Sequence, residues 1–329
     1  MNTKRTVNTK RTVNTKRTVD TRKSLRLAAT LIVLAAIAGC GAGAGGDGSS
    51  SGGGSGAPPP AAQTPAYVCG GETFASAAFS TGSINGQGGW LVDPSVGFDE
   101  GIVSLGADAC RGNGVWKLNN SVTSGAFGNQ PQSPVFPESA GESSVRSAGG
   151  GDTMAVSFFF RTVSPMADGS TFTHSFSPAA ADRQTYLRFV NDLDSNGGLR
   201  IFSIDGLLLD QIHPQAMNLS RAAWHHVRIV DWNVDGLAPG GGSNDVVTVS
   251  IDGALVGTFS TWESWRAALP APTLAVVRSL FRLTIGAGMV DASFASPLGF
   301  YLDDYIQEVL DSSAPASVVE SYKTGFELP

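Results

Sequence analysis

Between residues 66 and 329 apolar side chains recur mainly at every second position. Met154, Val156, Phe158 and Phe160 take alternate places in the run that ends at Arg161, which puts all four on one face of an extended chain. Short runs of the same kind, alternating or rich in β-branched residues, return at residues 185–190, 199–204, 225–230, 246–251 and 300–306, each bounded by Gly, Asn, Asp or Pro. They predict strands separated by turns. Helical spacing is nearly absent: residues 261–269, stopped by Pro270, predict one short turn of helix. So many short strands, with no second low-complexity break, predict one all-β domain over residues 66–329, a two-sheet antiparallel β-sandwich of jelly-roll type.

The first 65 residues follow other patterns. A basic stretch ending in Arg22, Lys23 and Arg26 runs into the apolar residues 27–39, the arrangement of a secretory signal. These 13 residues fall short of the roughly 20 that span a bilayer. The run closes with Ile37-Ala38-Gly39-Cys40, which resembles the lipobox of bacterial lipoproteins. The resemblance implies cleavage before Cys40 and a lipid on its thiol, so that acyl chains, more than one of them, hold the protein to the membrane. Gly41 in place of Asp implies, on the same resemblance, passage to the outer membrane or cell surface of a bacterium. The hexapeptide Asn-Thr-Lys-Arg-Thr-Val fills residues 2–19 three times over, and with no apolar face it cannot stack into a solenoid. It is either a long basic leader or lies before a translation start further in, for instance at Val19. Residues 40–65 are nearly all Gly, Ser, Ala and Pro, which predicts a disordered tether. They also spell G-x-G-x-x-G at 41–46 and G-x-S-x-G at 48–52, but neither match follows a strand or opens a helix, so neither carries chemistry.

Removal of residues 1–39 would leave 13 basic and 27 acidic residues, a net charge of −14 instead of −6. Such a balance argues against nucleic acid and anionic lipid as partners, since both need clustered cations. Cys69 and Cys110 then remain beside Cys40. An even pair in an oxidising compartment reads as a disulfide, closing a loop of about 40 residues for about 4 kcal/mol on chain-entropy grounds; two buried thiols are the other reading.

Three segments of the C-terminal half have a familiar order: Trp224-His225-His226-Val227, then the strand ending in Ile251-Asp252-Gly253, then Phe300-Tyr301-Leu302-Asp303-Asp304-Tyr305. Together they resemble the concanavalin A-like lectin/glucanase superfamily, the jelly roll also used by laminin-G domains. The resemblance covers residues 150–310 and implies the fold; fold alone does not fix function.

The residues themselves favour binding over catalysis. Glucanases on this fold supply paired carboxylates from one strand, and no E-x-D-x-x-E or E-x-D-x-E run exists here. The adjacent acids Asp99-Glu100 and Asp303-Asp304 should point to opposite faces of a strand. Asp304, in register with Leu302 and Ile306, then needs a partner such as an arginine, a backbone donor or a metal. Asp192, Asp194 and Asn196, and again Asp231, Asn233 and Asp235, place oxygen side chains at alternate positions before a glycine. That opens a calcium (Ca2+) loop, although the closing Glu is missing and a turn rich in Asn, Asp and Gly reads the same way. Trp262, Glu263, Trp265 and Arg266 form a candidate sugar platform, aromatic faces beside polar groups; the competing reading has a tryptophan plugging the end of the sandwich. His174, His213, His225 and His226 show no metal spacing, and the neighbours His225 and His226 face opposite ways. The expectation is therefore a surface-anchored lipoprotein whose lectin-like, non-catalytic sandwich binds a glycan or another envelope ligand. The alternatives are a carbohydrate-active hydrolase or lyase with a divergent site, and a structural envelope protein.

Overall fold

The structure, a computed structural model, describes residue 69 and residues 79–92, 100–118, 131–136, 153–177, 185–191, 199–204, 210–212, 219–232, 245–262, 278–284, 298–311 and 314–326. All lie in one compact unit, Gly56–Pro329. The predicted tether, the signal and Cys40 lie outside the described residues.

Thirteen strands occupy the described residues: β1 (Glu100–Ser104), β2 (Gly114–Leu118), β3 (Thr153–Thr162), β4 (Thr171–Ser177), β5 (Leu187–Asn191), β6 (Leu199–Ile204), β7 (Asp210–Ile212), β8 (His225–Trp232), β9 (Val246–Ile251), β10 (Ala254–Phe259), β11 (Arg278–Thr284), β12 (Phe300–Asp311) and β13 (Ala314–Thr324). They form two antiparallel sheets. The larger, of eight strands, runs β1-β2-β12-β3-β8-β9-β10, with β13 also paired to β12; the smaller, of five, runs β11-β4-β5-β6-β7. Among the described residues the only helical feature is a single 3-10 turn, Gly106–Asp108. The turn of helix expected at 261–269 begins with Thr261 and Trp262 in non-helical backbone, and its other residues lie outside the described set.

Alternation explains the core. Phe158 and Phe160 of β3 meet Phe172, Phe189 and Phe281 of the smaller sheet; the Phe172 and Phe189 rings stack at 4.3 Å, and Phe158 meets Phe281 edge-on at 5.5 Å. Each such fully buried ring stabilises the sandwich by about 1.5–3 kcal/mol. Trp90, Trp116, Tyr305 and Phe326 continue the core. The Ile251-Asp252-Gly253 segment turns β9 into β10 with positive φ at both Asp252 (51°) and Gly253 (82°), the backbone a two-residue hairpin favours.

Against β3, the pairing of β12 is interrupted once. Asp303 pairs with Phe159 and Ile306 with Ser157, so three residues of β12 advance against two of β3. Asp304 takes φ 47° at this bulge. Leu302 and Tyr305, three apart rather than two, therefore both reach the core. The bulge overturns the expectation that Asp303 and Asp304 diverge: both are buried, and Arg111 meets both. Its backbone N–H donates to Asp303 Oδ2 at 3.0 Å and its Nε lies 2.6 Å from Asp304 Oδ2. The partner expected for Asp304 is thus an arginine.

Candidate functional site

Each sheet has a second face, turned away from the core, and the two differ in their chemistry. On the smaller sheet Phe172, Phe176, Leu187, Phe189, Leu199 and Phe281 face inward, so the residues between them take outward positions. Pairing then aligns one outward row, Arg282–Thr173–Arg188–Phe202, across β11, β4, β5 and β6. The rows beside it align Leu280 with Ser175, and Thr284, Thr171, Val190 and Arg200. Arg278, four positions before Arg282 on β11, pairs with Ser177. Thr173 and Ser175 are only 4% and 2% exposed, whereas Arg188 and Tyr186 are half-buried. The hydroxyls form a floor beside which an arginine and an aromatic ring stand. Among the described residues of these strands the outward positions hold one carboxylate, Asp210, at the far edge on β7 opposite Ile204.

The expected sugar platform meets this face at one residue. Trp262 is 9% exposed and its ring lies 6.1 Å from that of Tyr186, which precedes β5. It is a buried wall next to the outward row and not the open aromatic face that was expected, because it packs on Tyr186. Glu263, Trp265 and Arg266 lie outside the described residues.

The outward face of the larger sheet is rich in charge, but the charges meet each other. Arg228 Nη1 donates to Glu308 Oε2 at 2.6 Å, and Arg111 serves Asp303 and Asp304 while its guanidinium lies 5.8 Å over Phe159. Burial and the charge of the neighbouring Asp304 push the Asp303 carboxyl up to about 8. Burial, then Arg228, push His226 down to about 4, which keeps it neutral beside Phe159, ring to ring at 5.0 Å. Arg161 lies over both Trp224 (5.0 Å) and Tyr301 (5.5 Å). Asp252 joins the family-like segments: its Oδ2 meets His225 Nδ1 at 2.7 Å and its Oδ1 accepts the His226 N–H at 2.8 Å. The residues that carry the resemblance therefore hold the fold.

Other sequence candidates lie elsewhere in the sandwich or outside the described residues. Asp231 was expected to open a calcium turn but is buried within β8, opposite Met154 and Val247, on the core face with Val227 and Ile229. Asp192, Asp194, Asn196, Asn233 and Asp235 lie outside the described residues. Among the described residues no three His, Cys, Asp or Glu gather as metal ligands. Cys69 and Cys110 are joined by a disulfide with Cα atoms 5.0 Å apart. Glu100 is buried and accepts from Ser83 Oγ, the Ile84 N–H and Trp116 Nε1. His174 Nε2 lies 3.0 Å from Ser279 Oγ, a nucleophile-and-base distance. Both residues are fully buried between the sheets, where Tyr305 Oη lies 2.8 Å from the same Ser279 Oγ, and burial holds His174 down to about 3. That pair joins the neighbouring strands β4 and β11 on the core side of the smaller sheet.

The arginine row itself was missed in the sequence, although the pattern contained it. Arg188 stands between Leu187 and Phe189, Arg200 between Leu199 and Ile201, and Arg278 and Arg282 are four apart in one strand. Each is an outward position once its apolar neighbours are assigned inward.

No protein-family model and no curated protein matches the chain. Among solved structures it is similar to alginate lyase Aly36B at 10% identity, covering 70% of this chain and 81% of that one, with a TM-score of 0.32. It is also similar to a SAP-like pentraxin from Limulus polyphemus at 15% identity, 53% and 79% coverage and TM-score 0.29. Sheep galectin-11 aligns at 9% identity, 41% and 86% coverage and TM-score 0.25. Likenesses at this level carry no argument about what the chain does.

Proposed function

We propose that this chain is a carbohydrate-binding β-sandwich that lays its ligand across the outward face of the five-stranded sheet. The observation that carries the reading is the outward row Arg282–Thr173–Arg188, with the half-buried ring of Tyr186 backed by Trp262 at its end. Sugar recognition asks for hydrogen-bonding groups that meet several hydroxyls at once and an aromatic face for the ring. A pleated sheet supplies the first at fixed spacing. The lipobox-like Cys40 adds a lipid anchor, the Gly, Ser, Ala and Pro stretch adds a tether, and the location follows as the outer membrane or surface of a bacterium. Binding without turnover is the leading form of the proposal.

The experiment is a polysaccharide pull-down with the full chain in detergent, with and without calcium, followed by chromatography of the supernatant for products. Retention that falls in Tyr186→Ala and Arg188→Ala, with no product, is the expected result. Accumulating product would replace binding by hydrolysis or elimination. Retention unchanged in both variants would remove this face from the proposal.

A further inference from the structure

We propose that the Cys69–Cys110 disulfide is a redox latch on the β1–β2 loop, residues 105–113: its reduction lifts Arg111 from the buried Asp303–Asp304 pair and admits water to both carboxyls. The loop meets the larger sheet at this one pair of acids. Cys110 and Arg111 are neighbours, and the backbone N–H of each donates to the Asp303 carboxyl. Arg111 Nε lies 2.6 Å from Asp304 Oδ2, and its guanidinium lies 5.8 Å over Phe159. The disulfide is therefore one residue from the contact that covers the acids, and its other end, Cys69, lies 41 residues earlier, outside the loop. Elsewhere the loop closes on itself, Leu105 and Gly106 N–H donating to the Asn113 carbonyl, and Trp224 Nε1 donates to the Asp108 carbonyl. Gly106 and Gly112, at φ 55° and 58°, stand near its two ends, where glycine lets the backbone turn without a steric penalty.

Closing the loop on two carboxyls works against their hydration. Asp303 and Asp304 are 1% and 2% exposed. Burial, then the charge of Asp304, pushes the Asp303 carboxyl up to about 8, so near pH 7 it holds a proton. The backbone donors of the loop lower it, but burial is the larger influence; water admitted beneath the loop returns the carboxyl toward its ordinary range and frees that proton. The charged and titratable groups near the pair on other elements are His226 of β8, across the Phe159 ring with Arg228 and Asp252 around it, and Lys117 of β2 and Arg161 of β3, both paired with Tyr301 two positions before Asp303. A covalent bond beside Arg111 holds the closed arrangement against hydration, and that bond is reachable. Cys69 is exposed and Cys110 buried, so a dithiol reductant attacks the Cys69 sulfur: a new S–S bond forms there, the old one breaks, and Cys110 leaves as a thiolate that takes a proton. The reductant's second thiol then attacks its own first sulfur and releases Cys69 as a thiol. Two electrons and two protons pass from reductant to protein, so the exchange itself neither takes up nor releases a proton.

The test adds a dithiol reductant to the full chain in detergent at pH 7, in unbuffered medium, and follows released protons with a pH indicator while a thiol reagent counts new thiols. A group half protonated at pH 8 is about nine-tenths protonated at pH 7, so the expected result is two new thiols and the release of about 0.9 proton per chain, absent in Asp303→Asn. The thiols themselves, titrating near 8.5, contribute less than about 0.1 proton. Two new thiols without proton release overturn the proposal, because the loop then stays on the pair; equal release from Asp303→Asn overturns it by placing the proton elsewhere. Near-ultraviolet circular dichroism should survive reduction, and its loss overturns the proposal as well, since the bond would then hold the whole domain. A second measurement does not depend on Asp303→Asn folding. Thermal midpoints of the oxidised and reduced chain, each with and without Arg111→Ala, should show a smaller effect of Arg111→Ala once the disulfide is open, and additive effects overturn the latch.

Discussion

Replacing Arg111 by alanine should destabilise the sandwich strongly and in a pH-dependent way. The side chains of Arg111 and Asp304 are 5% and 1% exposed and meet at 2.6 Å; Asp303, also buried, is held by the Arg111 backbone N–H. The substitution removes the cation and leaves two buried carboxylates side by side. Breaking a buried pair from one side costs about 3–5 kcal/mol, since the remaining charge stays desolvated. At roughly 2–4 °C per kcal/mol the thermal midpoint should fall by on the order of 10 °C near neutral pH. Linkage gives the sign of the pH effect. The Asp303 carboxyl is raised from 3.8 to about 8, first by burial and then by Asp304, so its contribution is fully present below 3.8 and lost as pH rises through about 8. The variant's deficit should therefore be largest at pH 8 and shrink toward pH 4, where the Asp303 carboxyl is neutral. Asp303→Asn placed in the Arg111→Ala background removes one of the two charges and should restore part of the loss at pH 8. Calorimetry across pH 4–9 on the four proteins of this cycle measures the coupling. A deficit below about 2 °C, or one unchanged across the range, would refute the reasoning.

Three further outcomes follow from the same kind of argument. Burial lowers the His225 pKa, but its bonds to Asp252 and to the Ser220 carbonyl outweigh that and raise it above 6.5; the stabilisation is present below 6.5 and lost as pH rises through the raised value. Because Asp252 is half exposed, His225→Gln should cost only about 0.5–1 kcal/mol and flatten the fall in midpoint between pH 6 and 8, checked by thermal denaturation. Reduction of the Cys69–Cys110 disulfide, or Cys110→Ser, should destabilise by about 4 kcal/mol, read as a lower denaturant midpoint. Trp262→Ala should cost about 3 kcal/mol or more by urea titration, because the ring is buried against Tyr186; an unchanged urea midpoint would mean that the ring packs on nothing.

The architecture was legible because its signal is local. Residues 199–204 and 246–251 were predicted as strands and are β6 and β9; residues 225–230 and 300–306 were predicted and extend to Trp232 and Asp311. Extension of β12 required a bulge, and nothing in Asp303-Asp304-Tyr305 announces a positive φ before the partner strand is known. Arg111 was equally hidden, since 192 residues separate it from Asp303 and only the folded chain brings its loop there. Trp262 illustrates the converse. Its neighbours in sequence suggested an exposed platform, but its position was decided by Tyr186, a residue far upstream.

The two outward faces explain why the charged residues could not be sorted into structure and function from the sequence. An arginine bonded to a carboxylate on a neighbouring strand and an arginine whose strand neighbours are a threonine and a phenylalanine look alike in a linear chain. What separates them is register: Arg228 faces a Ser157 flanked by β12, from which Glu308 reaches it, whereas Arg188 faces Thr173 and Phe202. Charges that neutralise one another inside a sheet face contribute to that face's rigidity and offer a ligand little, because an incoming anion would have to displace a bonded carboxylate. If the larger sheet instead held the ligand, Arg228→Ala would abolish polysaccharide retention at unchanged stability; with the ligand on the smaller sheet it lowers stability, through loss of the Glu308 pair, and leaves retention intact.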